Sequence, residues 1–256
     1  MKTQTALFRR IAALDGLRMA SVLAVVALHA GIAYCTVVPW WYVSDPAKSR
    51  LMDIVLSIVD GFPMPLLFFV SGYVALPSLA RRGVAGFVAG KVWRLLVPLV
   101  GLTLLYCPVI AYIDYLDKGG TAGFFAHWLA LLPSLADWRV LYFSGAKAPA
   151  AARDLIWPYH LWFLALLFLF CLALGAVRCV AGPGLARKAL GSGAGWGRFG
   201  VLALVVGLIA GLGQLFWSDA DWVRLGPFLA LQPARVPQYI GFFLLGLFAW
   251  KHGWLV

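Results

Sequence analysis

Arg18 and His29 stand eleven residues apart in LDGLRMASVLAVVALHAG (14–31). At about 3.6 residues per turn that is close to three turns, so both side chains share one helix face. At about 1.5 Å per residue the imidazole lies about 16 Å along the axis from the guanidinium, near the middle of the apolar run and of a bilayer. An ionisable ring at that depth faces a cavity or the bundle interior and usually has a function. A neutral imidazole there can take a proton from a hydroxyl or accept a transferred group itself. Asp15, three residues before Arg18, pairs with it if the helix reaches back that far. Read alone, Arg18 serves equally as a positive-inside anchor, and His29 as a hydrogen-bonding partner of a neighbouring helix.

Other residues fit the same chemistry. Lys91 and Arg94 lie one turn apart in KVWRLLVP, and with Arg18 they suit a pocket for phosphates, or act as ordinary topology anchors. Asp60 and Gly61, followed by Pro63 and Pro65, mark a broken span, and irregular backbone at depth needs a cavity or protein around it. Asp60, Ser71 and Tyr73 are therefore expected to line that cavity. In WPYHLWFL (157–164), His160 and Trp162 stand at the outer mouth of a later span. There they act as substrate-binding groups or as members of an interfacial belt. This spacing places His29 and His160 at different depths.

Positioning these groups requires membrane helices. Of the 256 residues, 63% are hydrophobic and only 12% charged, too few polar residues to cover a water-facing surface. Apolar runs at about 17–38, 54–76, 95–114, 159–177, 199–217 and 237–250 predict an all-α, polytopic membrane bundle of about six spans. The last run could begin near Leu225 if Pro227, Pro233 and Pro237 are absorbed as kinks. FFAHWLALLPSL (124–135) is too short to span and reads as an interfacial or re-entrant outer helix. SGAKAPAAAR reads as a flexible outer loop and GPGLARKALGSGAGWGR (182–198) as a basic linker. Sorted by alternate loops, 13 Lys and Arg fall on the side of both termini and 8 on the other, which predicts a cytoplasmic N-terminus. Because the basic residues are topological, the net charge of +11 does not point to nucleic acid. The first run lacks a small-residue cleavage site, so it is expected to remain as a span. Cys35, Cys107, Cys171 and Cys179 form no C-x-x-C pair and imply no metal site.

The ordered set LDGLR with His29, FFVSGY (68–73), Lys91 to Pro98, HLWFL (160–164) and FFLLGLFAWKHGWL (242–255) resembles acyltransferase family 3. Among its branches, HLWFL is most similar to that of the glucan biosynthesis protein C, which succinylates periplasmic glucans. The resemblance covers about 240 residues and implies one membrane domain over 1–256 in a bacterial inner membrane. Its expected activity is transfer of an acyl group from cytoplasmic acyl-CoA to a carbohydrate hydroxyl, with no permanently bound cofactor. His29 matches the family's essential histidine and Arg18 its partner arginine. Lys91 and Arg94 match a basic pair that is commonly Arg-x-x-Arg, so Lys91 binds phosphate as a point charge. Relatives often carry a glutamate after the WFL region; this chain has Ala165 there and no glutamate, leaving Asp60 or Asp15 for any histidine–carboxylate pair. The family typically has more spans, so the domain is expected to be incomplete at its C-terminus.

Two other classes compete. A small-solute transporter would also use a midplane histidine, with its site at Asp60 to Pro65, though no repeat symmetry is evident. A haem electron carrier would use intramembrane histidines, which the different depths of His29 and His160 argue against.

Overall fold

A computed structural model describes residues 12–38, 41–144, 155–182, 184 and 196–255. Its α-helices are α1 (Ala12–Gly31), α2 (Arg50–Asp60), α3 (Pro63–Lys91), α4 (Val97–Leu105), α5 (Cys107–Asp117), α6 (Phe124–Leu131), α7 (Trp162–Ala181), α8 (Trp196–Phe216) and α9 (Val236–Lys251). The 182–198 linker falls largely outside the described residues, as does the outer loop beyond Ser144.

Among the described residues, three helical runs are long and apolar enough to cross a membrane: Ala12–Tyr34, Arg50–Asp117 and Tyr159–Ala181. The Arg50–Asp117 run takes in two of the six expected spans. α8, with 21 residues, reaches the roughly 20 that a perpendicular crossing needs, whereas the 16-residue α9 falls short of it. The break expected at Asp60–Pro65 is present. Pro63 opens α3 at its first turn, where a missing N–H costs nothing. α3 itself turns at Gly83, whose φ of 66° suits glycine, directly after Arg81 and Arg82.

α3 is the hub. It packs most extensively on α9 and also meets α7 and α1. Phe68, Tyr73, Leu79 and Phe87 join Leu166, Cys171 and Leu174 of α7 and Tyr239, Phe243 and Trp250 of α9 in one buried core. Two glycines set how close α3 and α9 come. A Cβ on Gly72 would lie 2.1 Å from the Phe243 oxygen, and one on Gly246 would lie 2.1 Å from the Phe69 oxygen. Small residues at such crossings let backbones touch, the main source of helix affinity in lipid.

The fold is mostly helical and not all-α. β1 (Val140–Ser144), β2 (Asp221–Leu225) and β3 (Leu229–Leu231) form an antiparallel sheet in that order. Val140 pairs with Leu225 and Val223 with Leu231. An early start of the last span near Leu225 is thereby excluded. Gly226 makes the hairpin possible through its positive φ, and a Cβ there would strike the Trp138 ring. Arg224 of β2 is fully buried and donates to the carbonyls of Asp137 and Ile156. It thus ties the sheet to the segment that leads into His160. Arg224→Met is expected to cost about 3 kcal/mol by leaving those carbonyls unpaired in the interior. Thermal unfolding in detergent measures it, and an unchanged midpoint would contradict that role.

Candidate active site

His29 lies in the last turn of α1. The helix stops early because Gly31 abuts Leu56 and Met52 of α2, and because Asp53 captures the backbone N–H groups of Thr36 and Val37. These contacts lead the chain away from the helix axis. The His29 Nδ1 lies 2.7 Å from the Val25 carbonyl oxygen, one turn back. Its ring meets that of His160 edge-on, with centroids 4.3 Å apart. The two histidines therefore share one site instead of two depths. Two imidazoles this close cannot sit on opposite faces of one haem iron.

His160 is held by a short 3-10 turn, Tyr159–Leu161, just before α7. Tyr159, with φ 41°, is the one non-glycine residue of positive φ among the described residues. Strain of this kind collects at functional sites, where surrounding contacts over-determine the backbone. Upstream, the Ile156 N–H donates to Ser134 and the Ile156 carbonyl accepts from Arg224. Trp41 completes the cluster. Its ring stacks on His160 at 5.4 Å and lies 5.7 Å from His29, with Tyr42 at 4.7 Å on its flank.

The other candidates occupy separate places. Arg18 Nη1 donates to Asp15 at 3.4 Å, the pairing expected if α1 begins early, and both side chains are half-exposed. The Lys91 ammonium lies 5.3 Å from the Phe87 ring centroid. Arg94 is exposed within a π-helical stretch, Val92–Leu96, a distortion frequent at functional sites. Asp60 is bound by Arg235, which also donates to Asp219 at 3.0 Å. That ion pair occupies the corner where a transporter would need a vacant carboxylate. Ser71 is half-buried on α3; Tyr73 is buried, and no hydrogen bond among the described residues satisfies its hydroxyl. Trp162 stacks on Tyr239 and meets Trp222, so it belongs to the α7–α9 and sheet packing.

A family model described as "Acyltransferase domain" (Acyl_transf_3) matches residues 11–256. The chain belongs to acyltransferase family 3. It is an acyltransferase, and its apolar spans make it a membrane protein. No curated protein and no solved structure matches it.

Sequence reasoning missed several residues that shape this acyltransferase's structure. Trp41 and Tyr42 lie in a loop without periodic signal, and only contact with His160 reveals them. Arg235 and Arg224 read as outer-loop charges, whereas one bridges two aspartates and the other is buried. Asp219 yields a pH dependence. Burial opposes its charge, yet Arg235 and Gln214 hold its carboxyl below the ordinary value. A carboxyl held low when folded stabilises above its unfolded pKa, and this contribution is lost as pH falls through the folded pKa. Thermal stability in detergent is therefore expected to drop on acidification below about pH 4. Asp219→Asn should remove that part of the slope and lower the midpoint at neutral pH. Identical acid slopes in the two proteins would contradict the assignment.

Proposed function

We propose that this acyltransferase moves an acetyl or succinyl group from cytoplasmic acyl-CoA to a hydroxyl of an envelope carbohydrate, in a bacterial inner membrane with its N-terminus inside. The observation that carries the reading is the anchored ring of His29. A carbonyl oxygen only accepts, so the Nδ1 beside Val25 holds a hydrogen and the neutral ring keeps its lone pair on Nε2. Nε2 takes the acceptor proton as the hydroxyl oxygen attacks the thioester carbon. The C–O bond forms, the C–S bond breaks, and the proton passes from His29 to the CoA sulfur. His160, in ring contact, helps hold the imidazole in place. Arg18, Lys91 and Arg94 supply the charges for the CoA phosphates, Lys91 as a point charge. Asp15 orients Arg18 through their pair. Of the remaining residues, Ser71, half-buried on α3, lines the path of the substrates. The chemistry calls for no resident cofactor or metal, because the donor is itself a substrate. HLWFL favours a periplasmic glucan as the first acceptor to test.

The experiment is acceptor-dependent release of CoA by membranes containing the chain, with succinyl-CoA or acetyl-CoA and a soluble glucan. Release that rises with glucan and yields an acylated product is expected. Release indifferent to every acceptor would overturn the reading. Arg18→Lys keeps the charge but loses the planar fork, and is expected to raise the KM for acyl-CoA about tenfold. An unchanged KM would leave Arg18 as a topology anchor.

A further inference from the structure

We propose that Trp41 is the floor of the acceptor subsite and holds a neutral sugar ring by its face, with a hydroxyl directed at His29. This rests on the acyl-transfer reading and adds the chemistry of the acceptor. Trp41, Tyr42, His29 and His160 are each half-buried, so none of the four residues is closed off from its surroundings. Their centroids lie within 5.8 Å of one another wherever a ring contact joins them, and Tyr159 adds a further face 5.3 Å from Tyr42. The base is thus set in a wall of π faces and imidazole edges.

Three charged residues near this wall, Asp45, Lys48 and Asp53, are committed elsewhere. Asp53 accepts from Thr36 and Val37, Asp45 accepts from Ala47, and Lys48 donates to the Ala33 carbonyl. A phosphorylated or carboxylated acceptor would therefore find no cation offered to it among these residues. A flexible polyol has no flat face to lay on an indole. A pyranose has one: its C–H bonds, polarised by the ring oxygens, are attracted to the negative face of an aromatic ring, while its hydroxyls leave at the edge. The edge is where the His29 Nε2 is needed.

The platform is also pre-set. Backbone bonds from Asp45 to Ala33 and from Ser49 to Tyr34 close the loop that carries Trp41 against the end of α1. Holding the loop before the sugar arrives removes ordering cost from the binding step.

The test is saturation-transfer NMR on the full chain in detergent, with methyl β-glucoside, sorbitol and glucuronate as probes. Wild type is expected to saturate the glucoside C–H protons, and the other two probes at least fivefold less. Trp41→Leu keeps an apolar side chain in the loop but has no π face, and should lose about tenfold in glucoside affinity. Trp41→Phe should keep most of it. Equal glucoside signals in wild type and Trp41→Leu, or a sorbitol signal matching the glucoside, would overturn the subsite. So would the absence of any glucoside signal in the wild type. The readout needs no donor and no turnover, so glucoside binding that depends on Trp41 without any acyl transfer would defeat the catalytic reading alone. Acyl transfer with unchanged binding in Trp41→Leu would defeat the subsite alone.

Discussion

His29→Ala is expected to lower acyl transfer at least about a hundredfold while the protein still inserts and folds. Loss of a positioned general base costs roughly 10²–10⁴ in rate. The fold should tolerate the change, because the ring's hydrogen bond runs to Val25 within its own helix and its other contacts are ring faces. His160→Ala should cost less, since it removes a neighbour of the base and not the base. Transfer rates at matched membrane content measure both. A His29→Ala protein that transfers at the wild-type rate would end the assignment, and a His160→Ala protein more impaired than His29→Ala would reverse the two roles.

Gly246→Ala is expected to destabilise the fold strongly through a single added methyl. The new carbon would lie 2.1 Å from the Phe69 oxygen and 2.7 Å from the Tyr73 nitrogen, both backbone atoms of α3 that cannot swing aside. The helices must separate, and the reciprocal contact of Gly72 with Phe243 is lost with them. Overpacking of this kind costs about 3 kcal/mol. That corresponds to a fall of about 10 °C in the melting midpoint of a domain this size. Gly16→Ala is the control, since nothing lies within 4 Å of its added carbon. Equal midpoints for the two variants would show that the α3–α9 crossing does not depend on glycine.

The mostly helical character and the helix that carries Arg18 and His29 could be read directly, because apolar runs and a 3.6-residue period are local signals. Asp15 and Arg18 paired as their spacing implied, and the break before Pro63 lies where Gly and Pro marked it. What escaped is non-local. The β1–β2 pairing joins Val140 to Leu225 across a stretch that includes two helices, and five-residue strands carry too little pattern to announce themselves. Val37 and Val38 extend the apolar run past the point where Gly31 and Asp53 end the helix, so the sequence does not show that His29 stands in its last turn. Its meeting with His160 depends on that early ending and on the strained turn at Tyr159, neither of which composition records. Asp60 looked available as a carboxylate partner for histidine; its partner Arg235 lies 175 residues away.

Mass spectrometry of envelope glycans bears most directly on acyl transfer through His29. Bacterial cells would express the wild-type chain, the His29→Ala chain, or neither. A succinyl or acetyl mass increment on glycans from wild-type cells alone is the expected result, and it would identify the group carried. An increment of equal size in cells expressing His29→Ala, with both proteins present in the membrane, would contradict it.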